Sequence, residues 1–283
     1  MFKSRQIKRQ AETQASEALD FMSTESDRLL EQRLREAVAA GKFDLRYQPI
    51  ISVADGQIVA VEALLRWESE VGRVPAAAFV PILEATGLVN DVGPMVMAKA
   101  CREARSWIDA HPGLILTVNI SPQQLQVGFA DWVLGTLAAT RFPADQLCLD
   151  LMQTTFIADP TVAWTELRRL KSAGVSLFLD DFGSSGSSIA DLRRFSVDAV
   201  KIDPTFVSGL GNSAEDESVV EALIALAHAL GMRTVAEGVE TAVQLERLEA
   251  LGCDLAQGFH IMEPSPASDV TAALASSRAA LAV

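Results

Sequence analysis

The chain has 283 residues, 49% of them hydrophobic, and a formal net charge of −13. That length suits one large domain with a sizeable core, and the apolar share excludes wholesale disorder. The acidic balance excludes a protein that tracks a nucleic-acid polymer through its phosphates, which needs a basic face, but leaves room for a small anionic ligand held by a few cations or metal ions.

Residues 1–27 are polar, rich in Ala and Gln, and read as a helical N-terminal arm or linker, open to a protein partner or a sensory domain. The basic start, MFKSRQIKRQ, leads into AETQASEALD rather than an apolar core, so no signal peptide is expected. No run is long and uncharged enough for a membrane span. In ESDRLLEQRLREAVAAGK, Leu30, Leu34 and Val38 fall at helical spacing and Gly41 stops the pattern, so a barrel-sized domain is expected over 28–283.

Beyond Gly41, apolar strands alternate with amphipathic helices. Strands are expected over 43–51, 57–67, 114–120, 146–151, 175–180, 198–203, 232–237 and 255–261, and helices over 94–110, 129–139, 160–173, 215–230, 241–251 and 268–281. The first two strands are joined by the short turn VADGQ (53–57), which reads as a hairpin. The remainder is βα repetition with parallel strands and crossover helices. Together this predicts an α/β fold: a TIM-like (β/α)8 barrel whose first strand runs antiparallel to the others.

Cys101, Cys148 and Cys253 are scattered without a CxxC, and read as buried thiols of a reducing compartment, consistent with a cytoplasmic protein. His111, His228 and His260 are equally isolated, which argues against a zinc site; any metal is hard and oxygen-bound.

Polar residues recur at the strand ends: Glu62, Asn119, Asp150, Asp180 with Asp181, Lys201 with Asp203, Glu237 and Gln257. In a barrel the C-terminal ends of parallel strands converge on one face, where active sites form. One Asp or Asn there reads as a helix N-cap, and Asp203 before Pro204 fits that role. The set as a whole does not, because Glu is a poor cap and Lys201 sits inside an apolar strand. Converging carboxylates repel unless cations offset them, and an Asn, Asp and Glu set suits Mg²⁺, Mn²⁺ or Ca²⁺. The adjacent pair in DDFGSSGSS (180–188) can bridge two ions, and two metals about 3.5–4 Å apart are the usual apparatus for displacement at phosphorus. Read this way, the chain is a metal-dependent barrel hydrolase of an anionic phosphoester. A barrel aldolase or enolase-like enzyme is the rival, and periodicity does not separate them. A protein kinase is rejected, because the DFG stretch has no GxGxxG, VAIK-like or HRD companion.

The motifs also form an ordered set. YQPI (47–50), EALLRW (62–67), VNIS (118–121), DDFG (180–183), VKID (200–203), AEGVET (236–241) and QGF (257–259) resemble, in order and spacing, the EAL domain family of bacterial cyclic di-GMP phosphodiesterases, over about residues 28–266. The resemblance implies metal-dependent hydrolysis of cyclic di-GMP to linear pGpG by a metal-activated water, with two Mg²⁺ or Mn²⁺ ions, inhibition by Ca²⁺, and a homodimer. It implies Glu62, Asn119, Asp150 and Asp180 as ligands of one metal, Asp181 of the second, and Glu237 as a metal-linked glutamate and general base. It further implies Lys201 beside the catalytic water, and Gln48, Arg66, Asp203 and Gln257 at or near the dinucleotide, Gln257 from the second shell. Gln153 and Glu240 are implied as supports of the site and its loop.

Three departures open a second reading. Asp150 is one methylene shorter than the family's glutamate, and metal ligation tolerates only about ±0.2 Å. Gln153 replaces a charged brace of the loop after the paired aspartates. In that loop Ser185 and Gly186 stand where the family often has glycine and an aromatic. The alternative is therefore a degenerate EAL domain that binds cyclic di-GMP as a receptor without significant turnover.

Overall fold

The computed structural model describes residues 25–69, 72–152, 160–183 and 197–280. The expected arm up to residue 24, Gln153 and the loop residues 184–188 lie outside them. No helix of the described residues is long and apolar enough to cross a membrane.

The described residues divide into two compact units, one holding residues 25–44 and 65–95 and the other residues 45–64 and 96–280. In the first, helix α1 (Glu25–Ala40) forms where the Leu and Val spacing predicts it. Gly41 ends it at φ +63°, a left-handed angle that glycine adopts at little cost. The outer end of strand β2 (Ile58–Ser69) turns back onto strand β3 (Gly72–Val74), with Trp67 opposite Val74. Trp67 packs edge-on against Phe79 of helix α2 (Ala76–Ala85), with ring centroids 5.8 Å apart. The sequence pattern does not predict α2. Pro81 lies inside it, where proline is disfavoured, and its N-cap, Pro75, makes no side-chain hydrogen bond.

The second unit is the barrel. Its strands are β1 (Phe43–Ser52), β2, β4 (Ile115–Ile120), β5 (Leu147–Leu151), β6 (Ser176–Phe182), β7 (Ala199–Ile202), β8 (Arg233–Ala236) and β9 (Leu255–Ala256). The order β1-β9-β8-β7-β6-β5-β4-β2 closes through a β1–β2 pairing. Neighbours from β2 round to β9 are parallel, while β1 runs antiparallel to β9, as the hairpin reading requires. Helices α3 (Val89–Ala110), α4 (Phe129–Thr140), α5 (Pro160–Ser172), α7 (Ala214–Ala229), α8 (Ala242–Ala250) and α9 (Ala267–Ala280) match the expected crossovers to within a few residues, and a single turn, α6 (Pro204–Val207), follows β7. The last strand is much shorter than expected. It stops at Ala256, because at Gly258 the chain passes so close to Val239 that a Cβ would lie 2.1 Å from the Val239 carbonyl oxygen.

The barrel interior has two levels. Ile50, Ala60, Cys148, Phe178, Ala199, Val235 and Leu255 form one buried apolar cluster. Side chains alternate along a strand, so residues two apart face the same side. On the parallel strands, the residue two positions after each of these is Glu62, Asp150, Asp180, Lys201, Glu237 or Gln257. On antiparallel β1 the order reverses: Gln48 precedes Ile50 by two. An apolar plug therefore floors a polar layer built from every one of these strands.

Candidate active site

Lys201 is the centre of the polar layer. Its side chain is 1% exposed, and Nζ lies 2.6 Å from Asp150 Oδ2, 2.6 Å from Glu237 Oε1 and 3.3 Å from Glu62 Oε2. Burial alone drives the Lys201 ammonium to lose its proton. The carboxylates of Asp150, Glu237, Glu62 and Asp180 more than offset this, so its pKa is held well above the usual lysine value.

One ammonium does not neutralise four carboxylates, and the neighbours divide accordingly. Burial favours a protonated Glu62, but Lys201, Asn119 and Gln257 outweigh it and keep Glu62 below the usual carboxylate range. Glu62 Oε1 accepts from Asn119 Nδ2 at 2.6 Å, and Oε2 from Gln257 Nε2 at 2.8 Å. Asp150 lacks such donors. Burial, opposed by Lys201 and reinforced by Asp180 and Glu62, pushes it to about 7. For Glu237, burial, again opposed by Lys201 and reinforced by Asp180, Glu62 and Asp150, gives about 8. Asp150 Oδ2 is held by Lys201 Nζ, while Oδ1 is buried without a hydrogen-bond partner among the described residues.

The aspartate pair sits in a bulge. Leu179 opposes Val200 but Phe182 opposes Ile202, so β6 carries one extra residue there. Asp181 takes it up at φ +56°, and its N–H donates to Asp180 Oδ1 at 2.9 Å. Adjacent residues of a regular strand face opposite sides; the bulge re-aims one of them. Both carboxylates consequently interact with Lys201, and burial, Asp180 and Asp203 together raise the Asp181 pKa. Asp203 caps α6, accepting from the Thr205 N–H at 2.8 Å.

Glu62, Asn119, Asp150, Asp180, Asp181, Lys201, Glu237 and Gln257 are thus brought together, and Gln48 joins them through Gln257 at 3.0 Å. Glu240 is exposed, and its backbone N–H donates to Gln244 Oε1 at 2.7 Å in the cap of α8. Arg66 lies in the first unit, where it donates to the Leu65 carbonyl at 2.9 Å. Sequence reasoning missed the backbone lock between the loops after β8 and β9, where the Val239 N–H donates to the Gln257 carbonyl and the His260 N–H to the Val239 carbonyl. Gly258, just past a polar strand end, was its one signal.

The donor set is oxygen-only and carries excess negative charge, and Asp150 presents one buried oxygen, Oδ1, without a hydrogen bond among the described residues. These features suit a hard divalent cation. The arrangement also has a limit: among the described residues no three His, Cys, Asp or Glu side chains gather as a metal cage. The carboxylates close on Lys201 instead.

Residues 31–264 match the EAL domain family. The chain is 36% identical over 245 residues to the bifunctional diguanylate cyclase/cyclic di-GMP phosphodiesterase MucR of Pseudomonas aeruginosa, covering 86% of this chain and 36% of that protein. It is 35% identical over 240 residues to the cyclic di-GMP phosphodiesterase NbdA of the same organism, covering 84% and 31%. The chain therefore spans about a third of the length of these curated relatives. The solved structure of the PaMucR phosphodiesterase in complex with c-di-GMP superimposes with a TM-score of 0.81 at 36% identity, covering 86% of this chain and 99% of that one.

Proposed function

The chain belongs to the EAL domain family, and we propose that it hydrolyses cyclic di-GMP to linear pGpG. The observation that carries this reading is the layer around Lys201, where a fixed cation, an ionised Glu62 and an Asp150 carboxyl with one unpaired oxygen share one buried floor. Mg²⁺ or Mn²⁺ would be held by Glu62, Asn119, Asp150 and Asp180, with Asp181 and Glu237 towards a second ion. Bound there, the metal supplies charge neutralisation at the phosphate and a lowered pKa for water.

The chain's own residues do the rest. Opening the ring adds one water across a P–O3′ bond: an oxygen–phosphorus bond forms, the P–O3′ bond breaks, and the 3′ oxygen leaves with a proton. Glu237, at about 8 when no ion is present, is the group placed to take up the water's proton once it is ionised. Lys201 keeps its proton throughout and holds Glu237 and Asp150 in place through Nζ. The apolar plug keeps bulk water from entering beneath the layer.

A receptor without turnover is the second reading, favoured because, among the described residues, no three carboxylates gather as a metal cage. Incubation of the purified chain with cyclic di-GMP and Mg²⁺ or Mn²⁺, followed by chromatography, separates the two. We expect pGpG from the wild type and none from Glu62→Ala. Binding of cyclic di-GMP in Ca²⁺ with no product in either activating metal establishes the receptor, and no binding in any metal removes both.

A further inference from the structure

The ladder between β7 and β8 ends at Ile202 opposite Ala236. Glu237 and Asp203 stand one residue beyond it, so the loops must fix their spacing. The Glu237 N–H donates to the Ile202 carbonyl at 3.2 Å. At Gly238 (φ +69°) a Cβ would lie 2.7 Å from Pro204 Cβ, so the loop after β8 runs against the first residue of α6. Asp203 pins that same end of α6 as its N-cap. The other end of the turn is Ser208, its C-cap.

Gln244 of α8 reaches this second end. Its side chain is buried, and Oε1 accepts from the Glu240 N–H at 2.7 Å and the Thr241 N–H at 2.9 Å. Thr241 Oγ1 accepts in return from the Gln244 N–H at 3.2 Å. This is a capping box, complete within its own helix. Two backbone N–H groups only donate, so the amide must turn its oxygen to them and its NH₂ away. That NH₂ donates to the Ser208 carbonyl at 3.4 Å, 36 positions back in the chain. The cap does not require the second bond: glutamate serves a capping box as glutamine does, but an ionised carboxylate has no donor. The single turn of α6 is therefore held at both ends by residues 238–244, at its start by Gly238 and at its end by Gln244. Lys201 and Asp203 lead into that turn, and Glu237, 2.6 Å from Lys201 Nζ, leads into the cap of α8.

We propose that Gln244 is a positioning residue: beyond capping α8, its amide nitrogen clamps α6 to the loop after β8 and so fixes Glu237 relative to Lys201 and Asp203. In its effect on turnover this rests on the phosphodiesterase reading above.

The test uses three variants. Gln244→Glu keeps the cap and removes the donor, Gln244→Leu removes both, and Ala242→Glu adds the same charge at an exposed position in the first turn of α8. Amide exchange without metal or nucleotide comes first. The Glu237 N–H is expected to exchange about threefold to tenfold faster in Gln244→Glu than in the wild type, the worth of one hydrogen bond, and at the wild-type rate in Ala242→Glu. No change in Gln244→Glu, or the same change in Ala242→Glu, overturns the proposal. Steady-state kinetics follow. The kcat of Gln244→Glu should fall about tenfold with KM within about twofold, while its melting temperature stays above that of Gln244→Leu. A wild-type kcat in Gln244→Glu makes the glutamine a cap alone and overturns the positioning role. A wild type without turnover removes the phosphodiesterase reading, and the exchange comparison still decides whether Gln244 fixes Glu237.

Discussion

At Lys201 a single ammonium serves Asp150, Glu237 and Glu62, and the three do not respond alike. Glu62 has side-chain donors besides the lysine and stays ionised, whereas Asp150 and Glu237 rise to about 7 and about 8. The difference lies in hydrogen bonding, since all three share the burial and the cation. Removing the cation should expose this. Breaking a buried ion pair from one side typically costs about 3–5 kcal/mol, so Lys201→Met should lose about that much in urea unfolding at about pH 9, where Asp150 and Glu237 are ionised along with Glu62. The deficit should shrink as the pH falls through about 8 and about 7, where these two carboxyls take up protons. A loss under about 1 kcal/mol at about pH 9, or one that does not shrink on that descent, would mean the lysine is not what balances this layer. The sequence marks Lys201 as a cation inside an apolar strand. It does not reveal the sharing, because Glu62 and Lys201 lie 139 positions apart and Glu62 and Gln257 195.

Among the elements, most strands were legible because parallel strands buried on both faces are near-continuous apolar runs, as in LCLDL of β5, where all five residues are buried. The loops were not. β9 shrinks to Leu255–Ala256 because Gly258 must pass against the Val239 backbone, a contact between segments that no local pattern encodes. Gly258→Ala would put a methyl 2.2 Å from the Val239 nitrogen, and backbone cannot yield as a flexible side chain does. Overpacking of this kind costs about 1–3 kcal/mol. The expected outcome is a lowered melting temperature with faster amide exchange at Val239 and His260. Unchanged exchange at both would show that the two loops are not one unit.

Taken whole, the barrel separates its duties by end. The polar layer occupies the C-terminal strand ends, while the N-terminal ends are laced by aspartates that accept from neighbouring strands: Asp198 from the Leu177 N–H, and Asp254 from the Thr234 N–H and hydroxyl. Burial alone raises the Asp254 carboxyl, but His228, 2.8 Å away, and the Thr234 bonds more than reverse this, leaving it below the ordinary value. A depressed folded pKa gives stability that is present above the unfolded value, about 3.9, and is lost as pH falls through the folded one. Asp254→Asn should therefore lower the melting temperature at neutral pH and flatten its fall below about pH 4. An acid limb as steep as the wild type's would assign the acid sensitivity to other carboxylates.

The sequence by itself determined the alternation of the barrel strands, an apolar residue followed two positions later by a polar one. That alternation follows from short-range backbone geometry and needs no partner. With the ordered motifs, it was enough to specify the barrel, its reversed first strand, its family and most residues of the polar layer. Only the tertiary structure decided what those residues face: three carboxylates on Lys201, Gln48 joined through Gln257 to Glu62, Asp181 turned by a bulge. The stagger of the strands and the closure of β1 on β9 and β2 set which donor reaches which acceptor, and those distances arise between segments far apart in the chain.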